Sequence, residues 1–253
     1  MFKLDKSISK QIINATGSVH VAKINIKGTN YYVKPDNEMK EIIGYYLARM
    51  FHLSCAKSTS IKVGSKNYFV SLDLNEQHKF VLAHNFSLNG MTLQEIIKKL
   101  QTLPFYNDTL QKDMILMYIY DILFMNDDRH DRNWGFLMQN SSKFVLIDNG
   151  NIFSIKRKPY IRFMPDLYWE KDIENAIAED FGCFFDSLGD ENRKVVEQCL
   201  DASTISLANL NNIFSMIEEK YQCKINPEFL NMFSERYQKI MNILEEKRCN
   251  YGR

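Results

Sequence analysis

The sequence predicts an α+β chain of two lobes, a β-rich first part ending near residue 74 and a mainly helical remainder over 75–253. Three observations predict it. Short runs of β-branched and aromatic residues, separated by turn residues, crowd the first part. Apolar residues at helical spacing dominate from residue 91 onward. One hairpin-like stretch, 134–148, interrupts the helical part. The 253 residues are 45% hydrophobic and 25% charged, the profile of a globular chain with a sizeable core.

Taken in order, Gln11 to Pro35 reads as two strands. Val19, Val21, Ile24 and Ile26 supply the first, Lys27-Gly28-Thr29-Asn30 the turn, and Tyr31-Tyr32-Val33 the second. Glu38 to Phe51 reads as a helix, because Met39, Ile42, Ile43, Tyr46, Leu47 and Met50 share one face. Ser60–Val63 and Tyr68–Leu74 are strand-like runs around Gly64-Ser65-Lys66-Asn67. Helices are expected over Thr92–Gln101, Leu110–Met125, Asp172–Ala178, Asn192–Leu200, Leu207–Tyr221 and Pro227–Lys247. Trp134–Met138 and Phe144–Ile147 flank the polar turn Gln139-Asn140-Ser141-Ser142-Lys143.

Several function classes are disfavoured. A formal net charge of +1 gives no bulk electrostatic case for nucleic acid or a membrane surface. Five cysteines, scattered and without a CxxC pair, argue against a disulfide framework and a zinc site and are simplest as core residues of a protein in a reducing compartment. The opening MFKLDKSISK lacks the apolar stretch of a signal peptide. The most apolar segment, Met114 to Met125, contains Asp121 and spans only about half of the ~20 residues that cross a bilayer. It reads as a buried core helix, and the expected location is cytoplasmic.

Residues 126–133, Asn-Asp-Asp-Arg-His-Asp-Arg-Asn, form a dense polar block between the most apolar helix and a strand. The strand-like run that follows ends in Ile147-Asp148-Asn149-Gly150, a carboxylate placed to face a cleft. Phosphoryl transfer needs such parts: hard oxygen ligands for Mg²⁺, a carboxylate to orient the acceptor hydroxyl, and a cation on the α/β-phosphates. Asp128 suits the base, with Asp127 and Asp131 as competitors. Asn133 and Asp148 suit the metal, and His130 suits a brace for the loop. Lys34 suits the phosphate cation, paired with Glu41 in preference to Glu38. His130-Asp131 is also the pair found in metal-dependent phosphohydrolases, but no histidine follows residue 130 to complete such a site. The basic cluster Lys156-Arg157-Lys158, with Arg162, reads as a solvated loop rather than a grip on an acidic substrate.

The block Asn126-x-Asp128-x-His130-x-x-Asn133, followed by Phe144-Val145-Leu146-Ile147-Asp148, resembles the catalytic and metal loops of HipA-like serine/threonine kinases. More distantly it is similar to the DRHxxN loop of phosphatidylinositol kinases. Tyr31-Tyr32-Val33-Lys34-Pro35 resembles the strand carrying the ATP lysine, and Glu41, six residues before Leu47-Ala48-Arg49, the glutamate paired with it. Tyr68 to Asp73 resembles the strand leading to the adenine hinge. The resemblance covers roughly residues 14 to 150 and implies a two-lobed protein-kinase-like fold using ATP and Mg²⁺. It implies Asp128 as base, Asn133 and Asp148 as Mg²⁺ ligands, Lys34 on the phosphates, and Leu72 and Asp73 beside the nucleotide. There is no GxGxxG; Thr16-Gly17-Ser18 stands where a phosphate-covering loop belongs. The implied substrate is a protein Ser or Thr hydroxyl. The chain is shorter than full-length HipA, which implies a compact toxin-type member with a separate, antitoxin-like partner; the near-neutral charge sets the further expectation of no direct nucleic-acid binding and no membrane. The alternatives are a lipid kinase, which the lack of a basic amphipathic face disfavours, and a catalytically silent nucleotide-binding module.

Overall fold

The computed structural model describes residues 10, 21–36, 39–77, 79–88, 91, 93–126, 128–138, 142–153, 181–201 and 205–251. The chain begins its described fold with a hairpin of β1 (Ala22–Ile26) and β2 (Thr29–Pro35). Lys27 and Gly28 both have positive φ, 52° and 83°, the conformation a two-residue hairpin turn demands. A second hairpin, β3 (Ser58–Val63) and β4 (Lys66–Leu72), turns at Gly64, φ 64°. The four strands form one antiparallel sheet in the order β1-β2-β4-β3. Strand alternation gives the sheet two faces. Ile24, Val33, Tyr68 and Val70 make an apolar cluster of their own on one. Tyr32, Lys34, Phe69 and Ser71 line a cleft on the other.

Between the hairpins runs α1 (Lys40–Met50). Met39, at its N-cap, is left-handed with φ 58° and supplies no side-chain cap. Asp36 replaces it, accepting hydrogen bonds from the backbone N–H of Glu41 and Ile42, each at 3.2 Å.

A second, three-stranded sheet has the order β5-β6-β7, from Phe80–Leu82, Trp134–Met138 and Ser142–Leu146. Sequence reading finds the β6–β7 hairpin and misses β5. Three residues are too few to show an alternation, and β5 exists because it pairs antiparallel with distant β6, Val81 opposite Phe136. The short α2 (Leu74–Gln77) precedes it.

The larger part of the core is helical: α3 (Leu93–Gln101), α4 (Asp108–Leu123), α5 over 181–187, α6 (Asp190–Cys199), α7 (Leu207–Tyr221) and α8 (Glu228–Tyr251). Side chains cap α4 and α7, with Asn107 Oδ1 accepting from Leu110 N–H and Ser206 Oγ from Asn209 N–H. From Met114 to Leu123 every residue of α4 is buried, which is why its sequence shows no amphipathic period. Phe124 stacks on Phe233 at 5.5 Å, joining the end of α4 to α8, and Phe153, in the chain after β7, stacks on Phe229 of α8 at 4.5 Å. No helix among the described residues is long and apolar enough to cross a membrane. The helix expected over Asp172–Ala178 and the basic cluster from Lys156 to Arg162 lie outside the described residues.

The core reading of the cysteines needs correction. All five are free, but Cys183 and Cys249 are exposed. Phe181, Phe184 and Phe185 take the inward positions of α5, leaving Cys183 outward, and Cys249 sits in the last turns of α8.

The sheet and the helical part meet where α1 crosses the chain after β7. Tyr120 Oη donates to the Gly44 carbonyl at 3.1 Å. A Cβ on Gly44 would lie 2.5 Å from the Asn149 carbonyl oxygen, backbone that has no freedom to move aside. Gly44→Ala is therefore expected to destabilise by about 1–3 kcal/mol. A thermal melt should show a fall of roughly 2–4 °C per kcal/mol; an unchanged midpoint would contradict this contact.

Candidate active site

The cleft between the two sheets measures about 250 Å³. Its roof is the sheet face bearing Tyr32, Lys34, Phe69 and Ser71, and its floor includes Phe80, Leu82, Leu146 and Ile147. Leu72 and Asp73 line it where β4 ends.

At the inner end two charged side chains from one stretch of the sequence, Lys34 and Glu41, meet a third from far along the chain, Asp148. Lys34, on β2, places Nζ 2.6 Å from Asp148 Oδ1 and against Glu41 Oε1 of α1. Burial opposes the Lys34 charge, yet Glu41 and Asp148 together hold its pKa above the ordinary value. Burial also works to raise Asp148, but the Lys34 ammonium outweighs it and holds the carboxyl below the usual range. Glu41 is more deeply enclosed, and burial pushes it up to about 8 against the pull of Lys34. One ammonium thus stabilises the Asp148 anion first, and Glu41 Oε2 remains buried without a hydrogen-bond partner. Gly150 permits this packing, since a Cβ there would collide with the Glu41 carboxylate.

Asn126 and Asp128 to Asn133, the described residues of the polar block, lie in the loop between α4 and β6. Asn133 Nδ2 donates to the Asp128 carbonyl at 2.7 Å, which leaves Oδ1 as its acceptor atom for a metal. The Asp128 side chain is 36% exposed, and its Oδ2 accepts from Asn151 Nδ2 at 2.7 Å. His130 Nδ1 accepts from the Arg132 N–H at 3.1 Å, and its Nε2 lies 4.0 Å from Asp128 Oδ1, a bracing position within the loop. Asp131 is engaged elsewhere, its Oδ2 2.9 Å from His84 Nδ1.

Arg129 organises this loop from beneath. It is buried and bonds both oxygens of Asp121 on α4, at 3.0–3.2 Å. Nη1 donates to the carbonyls of Asn133 at 3.0 Å and Ile147 at 3.2 Å, and Nη2 to Asn149 Oδ1 at 2.8 Å. The Asp121 oxygen also accepts from Asn126 Nδ2 at 2.7 Å. One guanidinium therefore fixes the backbone beside Asn133 and the backbone beside Asp148. Asp148 itself is left-handed, φ 54°, as are Met125 and Phe153, φ 53° and 52°, and such backbone persists where its surroundings over-determine it.

The residues read from the sequence fall into three groups. Lys34, Glu41 and Asp148 meet directly. Asp128, His130 and Asn133 share the loop joined to Asp148 through Arg129, and Leu72 and Asp73 line the cleft. Gly17, Ser18 and Asp127 lie outside the described residues. Sequence reasoning missed Arg129, Asp121, Asn149 and Asn151. One signal was present: Asp121 is the one carboxylate in the apolar run Met114–Leu123 of α4, and a buried charge requires a partner.

No protein-family model matches the sequence, and no curated protein matches it. Solved structures do. The crystal structure of CtkA, a Helicobacter pylori proinflammatory kinase, superposes with a TM-score of 0.62 at 15% identity, over 92% of this chain and 95% of CtkA. HipA of a Shewanella oneidensis MR-1 toxin–antitoxin system, solved with HipB and operator DNA, gives 0.60 at 13% identity. That match covers 90% of this chain and 64% of HipA. The fold of this chain is that of the HipA-like kinases, two-lobed and α+β.

Removing the partner of Arg129 should be severe. Asp121→Ala leaves a buried guanidinium uncompensated and is expected to cost about 3–5 kcal/mol. Denaturant unfolding measures it; a loss near that of a surface carboxylate would show that the pair is not a support.

Proposed function

We propose that this protein is an ATP- and Mg²⁺-dependent protein serine/threonine kinase. The observation that carries the reading is the convergence of Lys34, Glu41 and Asp148 at the inner end of a cleft, beside the loop holding Asp128 and Asn133. The HipA-like kinase fold supports it.

The residues fit the metal by donor chemistry. Asp148 and Asn133 offer hard oxygens, and among the described residues no group of three or more His, Cys, Asp or Glu side chains forms a self-sufficient cage. Mg²⁺ suits such a site, because it takes one or two protein ligands and completes its shell with phosphate oxygens and water. When bound it neutralises charge on the phosphates being parted.

Lys34 then holds the α/β-phosphates and is kept in place by Glu41. Asp148, now paired with Lys34, and Asn133 Oδ1 would hold the metal, one as an anionic and the other as a neutral oxygen ligand. Asp128, steadied by Asn151 and braced by His130, accepts the proton of the Ser or Thr hydroxyl as its oxygen attacks the γ-phosphorus and ADP leaves. Gly17 and Ser18 are assigned to covering the phosphates.

The reading extends to a toxin restrained by a partner. HipA, solved with HipB, is the fold relative that motivates this. An antitoxin-like protein would restrain the enzyme by favouring a state in which Lys34 and Glu41 are parted or the cleft is blocked; equal binding to both states would shift nothing.

ATP with Mg²⁺ should stabilise the protein by ~2.7 kcal/mol at about 100 times the dissociation constant. EDTA or Asp148→Asn should abolish most of that shift, whereas Asp128→Asn should keep it and lose ~10²–10⁴-fold in phosphate transfer. Equal stabilisation with EDTA would refute the metal site, and an active Asp128→Asn would refute the base. In a bacterial host, induced wild type should arrest growth and Asp128→Asn should not; equal growth of both, from soluble and active wild type, would remove the toxin reading.

A further inference from the structure

We infer that Arg132 selects the acceptor: it binds a carboxylate close to the Ser or Thr hydroxyl, so that the enzyme prefers acidic protein segments. The inference rests on the kinase reading of the site and names its substrate class. Among the described residues, the charged ones lining the cleft are Lys34, Asp73, Arg132 and Asp148. Three of them are matched within the protein. Lys34 pairs with Asp148 and Glu41, and Asp73 Oδ2 lies 2.7 Å from Lys23 Nζ. Arg132 is exposed, and its guanidinium has no ion pair or hydrogen bond among the described residues. The carboxylates beside it in the chain are engaged elsewhere. Asp131 Oδ2 is 2.9 Å from His84 Nδ1, and Asp128 Oδ2 accepts from Asn151 Nδ2 at 2.7 Å.

The place of Arg132 in the chain decides what its charge meets. It belongs to the loop that carries Asp128 and directly precedes Asn133. That loop is folded tightly on itself. His130 N–H donates to the Asp128 carbonyl and Asn133 N–H to the His130 carbonyl, each at 2.9 Å, and Arg132 N–H donates to His130 Nδ1 at 3.1 Å. Among the described residues of the loop, Arg132 is the one that lines the cleft. Its backbone is thus fixed in the same tight turn as the proposed base while its side chain stands at the cleft wall. An acceptor hydroxyl has to reach Asp128, so the residues flanking it pass over this loop. The nucleotide phosphates are answered at the inner end, by Lys34 and the metal. The guanidinium that is left matches a carboxylate through two parallel hydrogen bonds. A basic segment brings like charge to it and is rejected.

The test assays wild type, Arg132→Ala, Arg132→Lys and Arg132→Glu with labelled ATP and Mg²⁺. The acceptors are serine peptides carrying Asp, Ala or Lys on either side of the serine, and thermal shift with ATP and Mg²⁺ is read in parallel. Wild type should favour Asp over Lys peptides by at least about tenfold in kcat/KM, the range of one hydrogen-bonded contact to a charged group. Arg132→Ala should lose most of that preference, Arg132→Lys should keep part of it, and Arg132→Glu should reverse it, which loss of a structural support cannot do. The shift with ATP and Mg²⁺ should persist in all the variants. The inference is overturned if wild type binds ATP yet does not favour Asp peptides, or if Arg132→Glu brings no turn toward Lys peptides. It is also overturned if Arg132→Ala loses the ATP shift, which would assign the guanidinium to the nucleotide. If wild type neither binds ATP nor labels any peptide, the proposed function falls and the inference with it.

Discussion

The Arg129–Asp121 pair is the interaction on which the rest of the site depends. Both side chains are 1% exposed. Moving two such charges from water into a protein interior costs several kcal/mol per ion, and mutual attraction offsets this only when the remaining hydrogen-bonding capacity is also met. Here it is: the guanidinium reaches Asp121, two backbone carbonyls and the Asn149 amide, while Asp121 also receives Asn126. The bonded carbonyls belong to Asn133 and Ile147, adjacent to the candidate metal ligands. The register of the most buried helix is thereby passed to two loops that would otherwise be free to drift.

A second constraint joins the two lobes. Gly44 and Gly150 let α1 approach the chain after β7 more closely than any side chain would permit. That approach brings Glu41 and Lys34 to Asp148. The charge count there is unbalanced, with one ammonium against two carboxylates; Lys34 holds Asp148 ionised against the effect of burial, while burial raises Glu41.

Much of the fold was legible because its signals are local. The Lys27-Gly28 turn, the facing apolar residues of α1, and α7 over Leu207–Tyr221 follow from turn chemistry and helical period. Strand β5 was not legible, since it owes its existence to pairing with β6. The exposed Cys183 and Cys249 show the same limit: residue type suggests burial, but the neighbouring phenylalanines decide who occupies the inward positions.

The sequence by itself determined the residue types of the candidate site, because carboxylates, an amide and a histidine concentrated between an apolar helix and a strand have few structural uses. It also determined the order of elements that carries them. Only the tertiary structure decided which of these groups touch. Asp148 is far from Lys34 and Glu41 in the chain and meets them through sheet register and two glycine contacts. Arg129 reads as one more surface charge until the fold buries it against Asp121. Burial and long-range proximity set those roles, and neither is written in the local pattern of residues.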